Sequence, residues 1–482
     1  MTDAPARTPL TERPTAPSGE RPGQAAGVTL SAAERELLLR LIGLPTAGPL
    51  EVGQDGPRPE LWAAQRAYAE AAAEHGFTVV HHAAADPAVL ELDGVPVTVR
   101  EAAAAMPDFL ECQPSMVLRL GPELPPERTV MFNVHLDTVA GFEPPRYADG
   151  RFHGRGAIDA KGPAVALLAG LRAARAAVPA LGERVGVLIQ LVAGEEGGAM
   201  GVFGTRPLVA AGYTGRLNVF CEPTRQLLLP RSTAAATARI SVAGQDSIDD
   251  RPGGGHNATV LLGHLAHHLA RHLPGRVAGG RVCVAGLHTG TLHNKVYGSG
   301  HLLLNLAYPT TQAGLALQQA LEDELRAGLA SFTETFADLP DFALTAREAA
   351  QVTRLDWLKR GLPALASSDP WAERLLTEGA GLRYAPADAD ADAFTCDAIW
   401  THDAPGAYTV VYGPGDLDAN GAHADGEHAD LADLESFATG VRALLTTFAR
   451  ASEAGEPPAP VATPSDQPAD ATTPAGSTSR TA

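Results

Sequence analysis

The sequence has few cysteines and no long apolar run, and both absences narrow the class of protein. Its 4 cysteines are Cys112, Cys221, Cys283 and Cys396, and no two of them form a C-x-x-C pair. Scattered cysteines suit a reducing compartment and exclude a zinc finger built from thiolates. The chain start lacks the apolar core of a signal peptide, and no apolar run reaches the roughly 20 residues of a membrane span. The sequence therefore predicts a cytoplasmic protein without a membrane partner.

Positive charge is also scarce. The 482-residue chain has 37 Lys and Arg against 56 Asp and Glu, which gives a formal net charge of -19. A surface of this sign repels a phosphate backbone, so nucleic acid is not an expected partner. Because paired thiolates are absent, any bound metal would need histidine and carboxylate ligands.

The composition divides the chain into tails and folded parts. Residues 1–27 and 450–482 have too few large apolar side chains to offset the entropy of ordering them, so we predict disordered tails. Strands and helices alternate in residues 28–230 and 346–449, which predicts two parts of one α/β domain whose sheet has helices on both faces. Between these parts, residues 231–345 predict a compact inserted α+β domain.

Polar side chains follow the predicted strands. His135 and Asp137 come directly after an apolar strand, and side chains two residues apart share a face. Asp159 lies in the glycine-rich stretch G-R-G-A-I-D-A-K-G-P, whose lysine is not followed by Ser or Thr, so the stretch is not a nucleotide-binding loop. A carboxylate there has two oxygens and could bridge two cations. An H-x-D pair alone is weak support for a metal site.

More candidate ligands follow later strands. Glu195 and Glu196 are adjacent and point in different directions, so one could bind metal while the other handles a water proton. Glu222 follows another strand, and His423 and His428 compete as the last ligand, since spacing alone does not choose between them. A solvated acidic turn would explain each feature taken singly. Five such features, each following or flanking a predicted strand, together predict a metal site.

In this order and spacing, residues 31–449 resemble the cocatalytic zinc aminoacylase and exopeptidase family. That family includes acetylornithine deacetylase, succinyl-diaminopimelate desuccinylase, carboxypeptidase G and tripeptidase. The stretch around Asp159 is most similar to the acetyl-lysine and acetylornithine deacetylase branch. The resemblance implies that the α/β domain is a zinc-exopeptidase-like catalytic domain with a mixed sheet flanked by helices. It also implies an inserted α+β lid/dimerisation domain and a homodimer formed through that lid.

The resemblance also implies a role for each candidate residue. It implies five metal ligands, namely His135, Asp159, Glu196, Glu222 and His423. Asp159 would bridge two divalent ions, Asp137 would orient His135, and Glu195 would be the general base. The family pattern of Gly-Pro-Gly, Ala-His and a later Glu selects His423 over His428. Zinc suits this ligand set, and cobalt or manganese would also fit.

The lid departs from the family pattern at two positions. Ile248 stands where the family places a histidine, and an isoleucine neither donates a hydrogen bond nor carries charge. Ala307, two residues after Asn305, stands where the family usually has an arginine that meets a substrate carboxylate. Asn294 matches the family's lid asparagine, and His256 could compensate for the missing histidine. We therefore take Asn294 and His256 as candidate substrate contacts.

Three functions remain open at this point. The first is a metallo-amidohydrolase of the deacylase or carboxypeptidase type, acting on an N-acyl amino acid or small peptide. The second is a specialised biosynthetic amidohydrolase whose substrate is carrier-linked or lacks a carboxylate. The third is a weakly active metal-binding homologue. Glu195 favours an enzyme, because a scaffold without turnover has little need of a general base.

Overall fold

The computed structural model describes residues 27–386 and 395–455. The predicted disordered tails therefore lie almost entirely outside the described residues. The last helix, Leu431–Glu453, continues past residue 450, where the C-terminal tail was predicted to begin. None of the helices in residues 27–386 and 395–455 has both the length and the hydropathy needed to cross a membrane.

The larger sheet has six strands and carries the candidate ligands. In spatial order the strands are Phe77–Ala83, Ser115–Leu120, Gly186–Val192, Thr129–His135, Leu217–Phe220 and Tyr408–Val411. Ser115–Leu120 is antiparallel to both of its neighbours, and the other pairs are parallel. Every residue of Gly186–Val192 and Thr129–His135 is buried, as expected for strands covered on both faces. The predicted mixed sheet is confirmed.

Helices cover this sheet. The long helices Lys161–Ala177 and Leu431–Glu453 pack closely together, and Ala32–Ile42 packs against the first of them. Gly170 permits the close approach, because a Cβ there would lie 2.7 Å from the carbonyl oxygen of Ala438. The other helices of this part are Pro49–Val52, Leu61–Ala73, Val97–Ala105, Thr205–Ala210 and Pro370–Arg374.

The inserted domain is a four-stranded antiparallel sheet with helices on one face. Its strands, in spatial order, are Arg281–His288, Ser299–Tyr308, Ala234–Ala243 and Thr353–Lys359. Its helices are Ala258–His272, Thr311–Phe336 and Ala343–Val352. We call this unit the lid. Its sheet extends to Lys359, beyond the predicted boundary at residue 345, because the last strand belongs to the lid through its pairing with Ala234–Ala243.

A small sheet positions the remaining site residues, and a hydrogen bond anchors the lid. A small sheet of Arg146–Ala148, Arg151–His153 and His428–Asp430 joins the segment after the last large-sheet strand to the turn that carries Asp159. At the junction with the lid, the Tyr308 hydroxyl donates to the Leu362 carbonyl oxygen at 2.9 Å. The lid is thus anchored to the chain that re-enters the catalytic domain.

Candidate metal centre

The predicted metal ligands converge at one edge of the large sheet. Three strands of this sheet run parallel, namely Thr129–His135, Gly186–Val192 and Leu217–Phe220. The residues that follow them therefore lie at the same edge of the sheet. This topology brings His135, the Glu195–Glu196 pair and Glu222 together. The small sheet then brings the segment with His423 to the same place.

Asp159 lies between two histidines and presents a different oxygen to each. His135 Nε2 is 2.9 Å from Asp159 Oδ1, and His423 Nε2 is 3.0 Å from Asp159 Oδ2. Glu222 Oε2 lies 3.8 Å from His135 Nε2, and Glu196 Oε1 lies 3.1 Å from His423 Nε2. Two groups of three potential ligands therefore share Asp159.

These groups suit divalent cations by geometry and by donor type. In each group the ligand atoms lie within 4.8 Å of one another. Each group offers one imidazole nitrogen and carboxylate oxygens, which zinc, cobalt and manganese accept. His135, Glu195 and Glu196 form a third overlapping group. The residues thus fit two neighbouring cations with Asp159 common to both.

Asp137 supports the centre through its backbone and its carboxylate. The Nδ1 of His135 donates to the carbonyl oxygen of Asp137 at 2.9 Å, whereas Asp137 Oδ1 is 3.8 Å from that nitrogen. Asp137 Oδ2 accepts from the backbone N–H of Gly194 at 3.0 Å and of Glu196 at 3.1 Å. A proton on Nδ1 leaves Nε2 of His135 with a lone pair for a metal. The sequence predicted that the carboxylate orients His135, but in the structure the carbonyl oxygen makes the closer contact.

Glu427 holds the turn that carries Asp159. Its buried carboxylate accepts from Arg155 Nη1 at 2.7 Å and from the backbone N–H groups of Gly156 and Ile158, each at 3.0 Å. The backbone N–H of Asp159 donates to the same carboxylate at 3.2 Å. In the sequence, Glu427 is the later Glu of the family pattern that selects His423, and its place four residues after that ligand was a signal that it belongs to the site.

The two competing histidines occupy different places. His423 lies within reach of Asp159 and Glu196, and its side chain is 52% exposed. His428 packs near the ring of His153, with 5.8 Å between ring centroids, and its Nε2 is 3.9 Å from Asp430. The structure therefore brings His423 rather than His428 to the candidate ligands.

The crowded carboxylates perturb one another. Burial raises the pKa of Glu196 to about 7, although the hydrogen bond from His423 opposes this. Burial and then the charge of Glu222 raise the pKa of Glu195 well above its usual range. Hydrogen bonds to Asp159 and Glu196 raise the pKa of His423 to about 10. Concentrated negative charge of this kind is favourable for binding cations.

Sequence reasoning missed Asp397. This buried carboxylate accepts a hydrogen bond from Thr205 Oγ1 at 2.6 Å, and Thr205 Oγ1 in turn accepts from Asn133 Nδ2 at 3.0 Å. Burial raises the pKa of Asp397 to about 8, and the charges of Asp137 and Glu222 act in the same direction. Asp397 follows none of the strands predicted from the sequence, so its position gave no signal of a buried site residue.

The candidate substrate contacts of the lid do not join the ligand groups. Asn294 is exposed, and Ile248 is 56% exposed on a short strand that pairs with Lys295–Val296. His256 is buried within the lid, where its Nδ1 accepts from the backbone N–H of Gln245 at 3.0 Å and its Nε2 lies 3.3 Å from Glu348. His256 is therefore engaged inside the lid in this structure, because both ring nitrogens have partners there.

A mixed α/β sheet that gathers two histidines and four carboxylates at one edge, in a chain with an inserted lid domain, defines a metal-dependent hydrolase. Residues 131–450 match Peptidase family M20/M25/M40, and the chain belongs to this family. It is accordingly a metallo-amidohydrolase, an enzyme that hydrolyses amide bonds with the help of metal. The predicted family and enzyme class are confirmed.

Solved structures share the fold at low sequence identity. Aminopeptidase PepT from Bacillus cereus is 14% identical, with 86% of this chain and 98% of that chain covered and a TM-score of 0.60. A tripeptidase from Staphylococcus aureus is 14% identical over 88% of this chain and 100% of its own, with a TM-score of 0.62. Human carnosine dipeptidase 1 is 15% identical, with 86% of this chain and 96% of that chain covered and a TM-score of 0.59. No curated protein sequence matches the chain.

Proposed function

We propose that this protein hydrolyses the amide bond of an N-acyl amino acid or small peptide with the help of two divalent ions. The proposal rests on the position of Asp159 between two groups of histidine and carboxylate side chains. Its Oδ1 is 2.9 Å from His135 Nε2, and its Oδ2 is 3.0 Å from His423 Nε2. Zinc is the favoured ion, since the donors are nitrogen and oxygen, and cobalt or manganese would also fit.

The ligands divide between the two ions. His135 and Glu222 would hold one ion, Glu196 and His423 the other, and Asp159 both. When bound, such ions lower the pKa of a water molecule and polarise the scissile carbonyl group. The carbonyl oxygen of Asp137 keeps the Nδ1 proton of His135 away from the metal side of the ring.

Glu195 is the proposed general base. It follows the strand Gly186–Val192 directly beside the ligand Glu196, in a turn whose backbone N–H groups are held by Asp137. Its carboxylate takes a proton from the attacking water and returns it to the leaving nitrogen. The overall reaction adds one water across the C–N bond and yields a carboxylic acid and an amine.

A substrate panel tests this function. Protein reconstituted with Zn²⁺ would be incubated with N-acetyl amino acids, N-succinyl amino acids and dipeptides, and the products would be measured by mass spectrometry. We expect hydrolysis of at least one class, loss of hydrolysis with a chelator and recovery with added Zn²⁺. Hydrolysis that persists in metal-free protein would contradict the proposal.

A second candidate function follows from Ala307. The methyl side chain at this position cannot bind a carboxylate, which favours a carrier-linked substrate or one without a carboxylate. Amidated substrates in the same panel distinguish the two candidates, because only this second function predicts that amides are preferred. The third possibility, a weakly active metal-binding homologue, would leave every substrate of the panel intact.

Assembly and location are further proposals. We infer a homodimer formed through the lid, which the family resemblance supports and the exposed edge strand Arg281–His288 permits. Sedimentation of the full chain would give twice the chain mass if this is correct. A cytoplasmic location is supported by the four cysteines, all of which are free thiols.

A further inference from the structure

The lid helix Ala258–His272 carries a column of histidines that the metal centre does not use. His264, His268 and His272 are spaced four residues apart, so they lie one above another on one face of the helix. The centroids of the His264 and His268 rings are 6.5 Å apart, and those of His268 and His272 are 4.5 Å apart. Imidazoles at this spacing on one helix face are potential ligands for a transition-metal ion.

This face of the helix packs along the second long helix of the lid, Thr311–Phe336. The two helices run in opposite directions, because His264 contacts Phe332 whereas the later His268 contacts the earlier Glu324. Side chains from both helices therefore meet along one seam. The histidine column lies at this seam, where it faces polar as well as aromatic groups.

Glu324 supplies a buried carboxylate at the seam. Its side chain is 11% exposed, and its Oε2 lies 3.0 Å from His268 Nε2. Its other oxygen, Oε1, lies 3.1 Å from Arg276 Nη1, which fixes the direction of the carboxylate. In the metal centre, His423 Nε2 and Asp159 Oδ2 are also 3.0 Å apart. One imidazole and one carboxylate of the lid thus already have the spacing of neighbouring metal ligands.

His272 is the third potential ligand, and it is free to move. Its side chain is exposed and makes no hydrogen bond or ion pair with any residue in the ranges 27–386 and 395–455. The ligand atoms of His268, His272 and Glu324 do not all lie within 4.8 Å of one another, as those of each group in the centre do. Rotation of the exposed His272 side chain closes this gap without moving either helix, since histidines four residues apart on a helix can hold one ion.

His264 is less suited to the same ion. Its ring meets Phe332 and Phe336 edge to face, at centroid distances of 5.5 and 6.1 Å. Partial burial lowers the pKa of His264, as expected for an imidazole beside apolar side chains. An ion bound there would lose its water to an aromatic surface without gaining a carboxylate. The other end of the column has the carboxylate and is open to solvent through His272.

The donors decide the kind of ion. Two imidazole nitrogens and one carboxylate oxygen suit zinc, cobalt, nickel or copper, whereas magnesium and calcium prefer oxygen ligands. Three protein ligands leave a fourth position for water, as in other zinc sites with mixed His and Glu ligands. The lid offers one carboxylate where the metal centre offers four, so the lid binds the ion more weakly and fills after the centre.

We propose that His268, His272 and Glu324 form a separate site for a zinc-class divalent ion at the seam between the two lid helices. The bound ion replaces the proton on His268 Nε2 and ties Ala258–His272 to Thr311–Phe336. It stabilises the lid, because the three ligands are brought together only in the folded chain. The site shares no residue with the metal centre and does not depend on the proposed function.

A zinc titration of the full chain tests the site. Protein whose centre has been filled at limiting Zn²⁺ would be titrated further, with the bound zinc counted by elemental analysis at each step. We expect one additional ion per chain in the wild type. His272→Gln should weaken the binding of this ion by at least about tenfold, because even the loss of a group that only supports a ligand costs that much. His268→Gln, which removes the central ligand, should abolish this binding.

His267→Gln is the matched control. His267 is exposed on the same helix, but it is one residue away from His268 and therefore lies on another face. This variant should take up the additional ion as the wild type does. Because His272 is also exposed, its replacement leaves the fold intact. A wild type that takes up no additional ion, or an additional ion that binds equally well to His272→Gln, would overturn the site.

Hydrogen exchange measured by mass spectrometry locates the additional ion. When this ion binds, we expect slower exchange in Ala258–His272 and Thr311–Phe336 of the wild type and no change in His272→Gln. Slower exchange confined to peptides of the catalytic domain would place the ion elsewhere and reject the lid site. Neither measurement involves turnover, so a failure of the proposed hydrolysis would leave this inference standing.

Discussion

The metal centre and the face of the lid sheet that the lid helices do not cover are opposite in charge and in construction. The centre collects buried carboxylates and histidines from residues that follow parallel strands. The uncovered face of the lid instead carries four cations from three antiparallel strands, namely Arg239, Arg281, Arg354 and Lys359. Arg281 and Lys359 have no partner within residues 27–386 and 395–455. The net charge of -19 therefore conceals opposite local charges, because acidic side chains collect at the centre and basic side chains collect on this face of the lid.

The largest expected effect concerns the centre alone. Glu195→Gln removes the proposed base but keeps the size and hydrogen-bonding shape of the side chain. We expect turnover to fall by roughly 10²–10⁴-fold, the usual contribution of general acid and base catalysis. Steady-state kinetics and elemental analysis would be run on the same samples. Turnover at the wild-type level would exclude Glu195 as the base, and loss of metal would mean that it is a ligand.

The second prediction compares a buried and an exposed ion pair beside the centre. Glu427→Gln breaks the ion pair with Arg155, in which the Glu427 side chain is 1% exposed and the Arg155 side chain is 9% exposed. Leaving one charge buried should cost about 3–5 kcal/mol in the free energy of unfolding. Asp430→Asn breaks the exposed pair with Arg151 and should cost less than about 1 kcal/mol. Urea unfolding measures both, and equal losses would contradict the supporting role of Glu427.

The third prediction concerns pH. In the metal-free centre the pKa of Glu196 is raised to about 7 and that of His423 to about 10, so both hold protons at pH 6. A metal displaces these protons, and its affinity therefore rises with pH. Lowering the pH from 8 to 6 should weaken metal binding by at least about tenfold. Calorimetry in two buffers of different ionisation enthalpy would detect the released protons, and pH-independent affinity would contradict this protonation pattern.

The sequence predicts the centre better than the lid for a physical reason. His135, Glu196 and Glu222 each follow an apolar strand, and parallel strands bring their ends together without further information. The family pattern added the choice of His423 over His428. The use of the Asp137 carbonyl oxygen and the burial of Asp397 depend on atomic packing that strand positions do not specify.

The lid depends instead on which strands pair and in what register. Thr353–Lys359 was assigned to the catalytic domain because its partner, Ala234–Ala243, lies more than a hundred residues earlier in the chain. Only the observed register places Lys359 beside Thr237 and Arg281 beside Ala307. The absence of an arginine at residue 307 was visible in the sequence, but the cations around that position were not.

The metal stoichiometry of the reconstituted protein tests the central proposal most directly. Elemental analysis of the wild type and Asp159→Asn after dialysis against Zn²⁺ would count the ions held per chain. We predict two in the wild type and fewer in Asp159→Asn, because the shared carboxylate loses its charge and one of its oxygen ligands. A wild type that binds no metal, or an Asp159→Asn variant that still binds two ions, would contradict a centre built around Asp159.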